Sequence, residues 1–147
     1  MAVTKIACAD DLAALAKETL DHVWTDKRFS DLIGAILMAN HVADWHFQVD
    51  LKRKFEKAEK QAMNDAYPEW ETIRQLANGT KHCKLISAVQ PKQEDLQWEH
   101  DDFWGSPGHV GGDGIDWFVD HDGKQRSAAV LIRTFLEKFD NSSARPT

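Results

Sequence analysis

The amino-acid sequence predicts a mainly α-helical single domain, a four-helix bundle with a small β-hairpin or irregular flap inserted before the last helix. Apolar residues recur every three or four positions in four stretches, which is typical of helices that bury one face. A fifth stretch, residues 94–122, instead concentrates Gly, Trp and acidic residues. The 147 residues are enough to form one domain, covering 1–147, with its own hydrophobic core.

The first two predicted helices lie in the N-terminal part of the chain. The first covers residues 11–23, with Asp10 as its N-cap. Its apolar face consists of Leu12, Leu15, Ala16, Leu20 and Val23. The second begins at Ser30 and extends to Gln61 or beyond, and thirty residues at 1.5 Å each give a length of about 45 Å.

The third and fourth predicted helices flank the flap. The third begins after Pro68, a residue that suits the first helical position. Its apolar side carries Trp70, Ile73, Leu76, Ala77 and Thr80. Asn78-Gly79 is a good helix stop, so the sequence leaves open whether this helix continues past it. The fourth covers residues 126–139.

The flap, residues 94–122, holds five of the eight glycines and three of the six tryptophans. Residues 96–98 and 115–119 resemble short strands, and Asp122-Gly123 is a strong turn signal. The flap also carries nine acidic residues and neither Lys nor Arg. Because the whole chain has a net charge of −6, the remainder carries +3 and is compatible with phosphate binding.

Several classes of function are excluded by missing patterns. The longest apolar run, residues 32–39, is too short for a membrane span, which needs about 20 residues. The start of the chain lacks the apolar region of a secretory signal, and Cys8 and Cys83 stand alone, so we expect a cytoplasmic protein. Nucleotide-binding glycine motifs and a Glu-x-x-His pair are absent. We therefore expect neither a cofactor nor a metal.

Two further patterns that suggest metal sites are rejected. His41 and His46 are five residues apart and so do not share a helix face. Asp120-His121-Asp122-Gly123 resembles part of a calcium loop, but the first and twelfth positions of that loop are Phe118 and Ala129. This segment is therefore predicted to form a turn.

Asn40 and Asp44 form the first candidate cluster. They lie one turn apart, and on a helical wheel both fall in the middle of the apolar stripe of the second helix. A buried carboxylate needs a partner, for which Arg74, Lys81, His82 or a neighbouring His are candidates. Asp44 is therefore either a catalytic or ligand-orienting carboxylate, with Asn40 beside it in substrate binding, or half of a structural polar pair that fixes helix register.

Arg74, Asn78, Lys81 and His82 form the second candidate cluster. On the wheel they lie opposite Leu76, on the polar face of the third helix. Arg74 and Lys81 could bind an RNA phosphate, and His82 could act as general acid or base. The alternative is an ordinary solvated helix face.

These segments resemble known helical proteins. Residues 39–45 and 76–82 look like a group of uncharacterised bacterial proteins with an N-x-x-x-D-W helix followed by an N-x-x-K-H helix. The layout is also similar to the HEPN superfamily of toxin–antitoxin and phage-defence systems. That resemblance implies a homodimer and, as in many members, a metal-independent ribonuclease with an R-x(4–6)-H motif. His82 matches the motif His, and Asn78 and Lys81 fit its neighbours, but Arg74 is one residue too distant.

The sequence thus supports two hypotheses, and leaves open whether the protein is an enzyme. In the first, it is an RNA-binding protein or ribonuclease in which His82 and Asp44 are catalytic. Its substrate-binding residues are then Arg74, Asn78, Lys81 and Asn40. In the second, it is a non-catalytic interaction module whose acidic flap binds a protein partner, since Trp is common at the centre of interfaces.

Overall fold

The fold is mainly α-helical, as predicted. The computed structural model describes residues 5–26, 28–81 and 118–147. In chain order its elements are α1 (Ala9–Thr25), α2 (Phe29–Trp45), a π-helix (His46–Asp50), α3 (Lys57–Ala66), α4 (Pro68–Lys81), β1 (Phe118–His121), β2 (Lys124–Ser127), α5 (Ala128–Asp140) and a short 3-10 helix (Ser142–Ala144). The predicted strand at 96–98 and the rest of residues 94–117 lie outside the described residues.

The four longest helices form a bundle around one hydrophobic core. α1 packs against α2 and α5, α2 packs against α4, and α4 packs against α5. The largest side chains of the core are fully buried aromatic rings contributed by α4, α5 and the segments before α4. They are Phe47, Tyr67, Trp70, Phe135 and Phe139.

α1 begins one residue before the predicted N-cap. Cys8 occupies the N-cap position and its side chain makes no capping hydrogen bond, so the prediction of Asp10 as the N-cap is wrong. The carboxylate of Asp50, at the end of the π-helix, instead accepts from the Ala9 N–H, with both oxygens at 3.3 Å. A residue 41 positions away therefore satisfies one of the unpaired N–H groups at this helix end.

The long second helix predicted for residues 30–61 is interrupted. α2 ends at Trp45 and widens into the π-helix, where the Leu51 N–H donates to the His46 carbonyl. Lys52 then has a positive φ of 56°, and α3 begins only at Lys57. The interruption stacks Phe55 on Phe47 with 5.6 Å between ring centroids, whereas eight residues of continuous helix would separate them by about 12 Å. Aromatic burial thus favours the turn.

The hairpin forms where the Asp122-Gly123 signal predicts a turn. β1 and β2 pair antiparallel, with His121 opposite Lys124, and Asp122 and Gly123 have φ of 52° and 75°. Positive φ at both central residues is what a type I′ turn requires. β2 runs directly into α5, which begins at Ala128 and not at residue 126, because the Ser127 hydroxyl caps it by accepting from the Val130 N–H.

Candidate functional site

α4 continues through the predicted stop and carries the predicted polar face. α4 remains helical through Asn78 and Gly79 as far as Lys81, the last described residue before the gap, so the local stop signal does not end it. Trp70, Ile73 and Leu76 are fully buried on one side, while Arg74 and Asn78 are partly exposed on the other. The predicted polar face therefore exists as far as Asn78. His82 and the side chain of Lys81 lie outside the described residues.

Arg74 is held by an ion pair within α4. Its Nε and Nη2 atoms donate to the two carboxylate oxygens of Glu71 at 2.8 and 2.5 Å. This hydrogen bonding lowers the pKa of Glu71 and raises the pKa of Arg74. The side chain of Gln75 also donates to Glu71 at 3.1 Å, and hydrogen bonding from Asn64 of α3 contributes to the lowered pKa of Glu71. A phosphate that took the same two-oxygen position on Arg74 would have to replace the Glu71 carboxylate.

Two amide oxygens beside this ion pair lack hydrogen-bond partners. Oδ1 of Asn64 and Oε1 of Gln75 are buried without a hydrogen bond, although Nε2 of Gln75 donates to Glu71. Glu71 thus gathers three donors at the junction of α3 and α4. The sequence did not predict this network. Glu71 and Arg74 are three residues apart on one helix, but Asn64 lies on the preceding helix, and helical spacing does not relate the two helices.

Asp44 does not lie in the middle of the buried stripe of α2, so that prediction is wrong. Its side chain is 33% exposed and accepts from His41 Nδ1 at 3.1 Å and from Gln48 Nε2 at 3.4 Å, both near neighbours on the same side of the chain. Asn40 is also only partly buried. The stripe that α2 buries is a different one, rich in small residues, and consists of Leu32, Ala35, Ile36, Ala39, Val42 and Ala43.

The buried face of α2 differs from the predicted face because α2 is apolar on nearly every side. Leu32 and Ile36 are fully buried, whereas Ile33 and Leu37, of the same size, pack at the margin of the core and remain partly exposed. Small residues at the centre of a helix contact let the helix axes come closer together. The predicted stripe also includes Phe47, Leu51 and Phe55, which lie beyond the end of α2, and for this reason it places Asn40 and Asp44 too deep.

The two predicted clusters lie on helices that contact each other. The indole N–H of Trp70 in α4 donates to the backbone carbonyl of Asn40 in α2 at 3.4 Å. This contact fixes the part of α2 that carries Asn40 and Asp44 against the start of α4. A contact between Asp44 and His82 stays a prediction, because His82 is outside the described residues.

Thr72, His121 and Asp122 form a polar cluster that the sequence reasoning missed. The Thr72 hydroxyl, on the buried side of α4, lies 2.8 Å from Nδ1 of His121, and Nε2 of the same ring lies 3.4 Å from the Asp122 carboxylate. A neutral ring protonated at Nε2 can accept a hydrogen bond from the Thr72 hydroxyl at Nδ1 and donate one from Nε2 to Asp122. Because Thr72 is only 7% exposed, this chain of contacts chiefly docks the hairpin on α4.

His46 forms another buried polar contact. Its Nε2 donates to the Pro146 carbonyl at 2.7 Å, and its Nδ1 lies 3.8 Å from the Asp50 carboxylate that caps α1. The side chain of His41 is 47% exposed while that of His46 is 7% exposed, which confirms that they do not share a face. His46 therefore joins the π-helix to the last residues of the chain.

One group of potential metal ligands occurs within residues 5–26, 28–81 and 118–147. The ligand atoms of His22, Asp26 and Asp31 lie within 4.8 Å of one another at the junction of α1 and α2. The Arg28 guanidinium already contacts the carboxylates of Asp26 and Asp31, at 3.7 and 2.9 Å. Arg28 thus supplies the positive charge that these carboxylates attract.

Comparison with models of protein families, with curated proteins and with solved structures found no match for this chain. Among the described residues, none of the helices combines the length and the apolar character that a membrane span requires.

Proposed function

We propose that the chain is a cytoplasmic, homodimeric HEPN-like protein that binds or cleaves RNA without a metal, in the setting of toxin–antitoxin or phage defence. The observation that supports this proposal best is the continuity of α4 through Asn78 and Gly79. Had α4 ended there, Arg74 and Asn78 would not share a helix with Lys81, the residue that immediately precedes His82.

Each residue has a defined role in this chemistry. His82 takes the proton of the attacking ribose hydroxyl or gives a proton to the leaving oxygen. Lys81 and Arg74 stabilise the charge on the phosphate, with Arg74 exchanging the two oxygens of Glu71 for two phosphate oxygens. Asn78 donates a hydrogen bond to the same phosphate.

α2 supports the site from the side in this proposal. Asp44 orients the imidazole or the ammonium group, and Asn40 contacts the nucleotide. The Trp70–Asn40 hydrogen bond favours this arrangement, because it holds the relevant turn of α2 next to α4. The exposure of Asp44 leaves its carboxylate accessible to a bound substrate.

The test is cleavage of a fluorescently labelled RNA in the presence of EDTA. We expect activity in the natural protein and at least a hundredfold loss in His82→Ala, which is the usual contribution of a general acid or base. The matched control is His22→Ala, since His22 is exposed at the end of α1. Equal loss in both variants, or unchanged cleavage and binding in His82→Ala, would rule out the site.

A second candidate function is favoured by the Glu71–Arg74 ion pair, which neutralises a cation that the first proposal assigns to phosphate binding. In it, the protein is a non-catalytic module whose acidic flap, residues 94–122, binds a protein partner. Replacing Asp101, Asp102, Asp113 and Asp116 by Asn should then abolish co-purification of that partner. His82→Ala should leave co-purification unchanged.

A further inference from the structure

We propose that the turn between the π-helix and α3, together with the start of α3, binds the phosphate backbone of RNA through four lysines. The lysines are Lys52, Lys54, Lys57 and Lys60, and the segment that carries them, residues 52–60, is called the basic turn. The RNA partner rests on the proposed function, but the surface is a separate one: it contains none of the residues proposed for catalysis or substrate binding on α2 and α4.

The first observation is a separation of charge within residues 52–60. The segment holds five cationic and two acidic side chains. Both acids are engaged locally: Glu56 and Glu59 form a reciprocal capping box at the start of α3. Glu59 also accepts from Arg53 at 3.0 Å, and its hydrogen bond from the Glu56 N–H lowers its pKa.

The four lysines, in contrast, have exposed side chains. Across residues 5–26, 28–81 and 118–147, none of them forms an ion pair of 4.0 Å or less with a carboxylate. Lys60 only covers the ring of Phe55, at 5.8 Å from its centroid. The segment therefore presents unneutralised positive charge, to which the N-terminal end of the α3 dipole adds.

The second observation is that the turn is anchored. The Arg53 guanidinium lies over the Phe47 ring at 5.6 Å, and its Nη1 donates to the Thr147 carbonyl at 2.7 Å. Phe55 stacks on Phe47 and meets the edge of Trp70 at 5.9 Å. Phe55 packs against the core, whereas the side chain of Lys54 beside it is exposed.

This anchoring matters for binding. In the uninterrupted helix that the sequence predicts, Lys52 and Lys54 would point about 200° apart. Instead, Lys52 has a positive φ, and the turn fixes the backbone that carries both lysines. A preorganised charged turn loses less conformational freedom on binding than a mobile run of lysines does.

The surroundings favour a polyanion in solution over a lipid surface. A helix or turn that binds a membrane inserts apolar side chains beside its basic residues. Here the neighbouring apolar side chains, Leu51 and Phe55, pack against the hydrophobic core. Lysine is a compact point charge that contacts phosphate without reading base sequence, so the basic turn should bind RNA of any sequence.

The test uses fluorescence anisotropy with a labelled single-stranded RNA from 50 to 200 mM KCl. For single strands each phosphate contact contributes about 0.7 to the slope of log K against log salt. Replacing all four lysines by Gln should reduce that slope by up to about 2.8 and weaken binding at least tenfold. The matched pair of double variants is Lys52→Gln/Lys54→Gln against Lys5→Gln/Lys124→Gln, which removes two exposed lysines elsewhere.

The outcomes separate this inference from the proposed function. If the lysine variants lose binding while His82→Ala leaves both binding and cleavage unchanged, the basic turn is supported and the α4 site is wrong. If the lysine variants bind RNA with an unchanged slope of log K against log salt, the inference is wrong even when His82→Ala abolishes cleavage. The inference is also wrong if the control pair Lys5→Gln/Lys124→Gln loses as much RNA affinity as Lys52→Gln/Lys54→Gln. Lysine-dependent binding to phosphatidylserine vesicles without binding to RNA would also overturn it. An unchanged Tm shows that the variants are folded.

Discussion

Residues 51–56 and residues 78–79 both behave against their local helix propensity, in opposite directions. The first segment, Leu51 to Glu56, contains neither Pro nor Gly, yet the helix before it ends. The second is Asn-Gly, a good helix stop, yet α4 passes through it. Local helix propensities amount to at most about 1 kcal/mol per residue for anything except Pro. Burial of one large aromatic side chain is worth more than that, so the stacking of Phe55 on Phe47 outweighs local propensity in the first segment. In the second segment, Leu76 and Ala77 immediately before Asn-Gly are buried in the core.

Side-chain pairs differ in the same way. In α4, Glu71 binds Arg74 and Gln75, three and four residues ahead, so each contact stays on the helix surface. At the basic turn, Arg53 binds Glu59 six residues ahead and so joins the turn to the start of α3. The first kind of pair stabilises a continuous helix, whereas the second stabilises a turn.

The largest effect should come from the packing that interrupts the long helix. Phe47→Ala removes a buried ring that contacts Phe55, His46 and Arg53, and should destabilise the protein by about 3–5 kcal/mol in urea unfolding. Phe29, which is 42% exposed, provides the matched comparison, and we expect Phe29→Ala to destabilise the protein less than Phe47→Ala does. A small effect of Phe47→Ala would mean that aromatic packing does not hold the turn.

A smaller effect should come from the ion pair of α4. Arg74→Ala should cost about 1 kcal/mol at pH 7, less than a fully buried pair, because both side chains are about a third exposed. Since the folded-state pKa of Glu71 lies below its ordinary 4.5, the stabilisation is complete above that pH and is lost as pH falls through the lowered pKa.

Thermal unfolding of both proteins between pH 3 and 7 checks this. The difference in Tm between natural protein and Arg74→Ala should be constant above about pH 5 and should shrink toward pH 3. A difference that grows on acidification would contradict the assigned ion pair.

The smallest effect tests the continuity of α4. Because Asn78 is inside the helix, Asn78→Ala should stabilise the protein by about 0.5 kcal/mol through the better helix propensity of Ala. Asn141 follows the last residue of α5 with non-helical backbone, so Asn141→Ala should give no such gain. Destabilisation by Asn78→Ala would indicate that Asn78 ends the helix. Urea unfolding at pH 7 measures both.

Part of the candidate site could be predicted from the sequence. Helical spacing places Arg74 and Asn78 opposite the buried Trp70 and Leu76, and the structure has them there. The burial of Asp44 could not be predicted, because α2 offers apolar residues on several sides and its neighbours select which side is covered. The pairing of Thr72 with His121 joins residues 49 positions apart, which no periodicity indicates.

By itself, the sequence determined the mainly helical fold, the start of α4 at Pro68 and the hairpin turn at Asp122-Gly123. These features depend on the spacing of apolar residues and on backbone preferences of single residues, both of which act over a few positions. Only the tertiary structure decided the interruption after Trp45, the capping of α1 by Asp50 and the side of α2 that is buried. Those depend on contacts between remote segments, where burial and hydrogen bonding outweigh local preference.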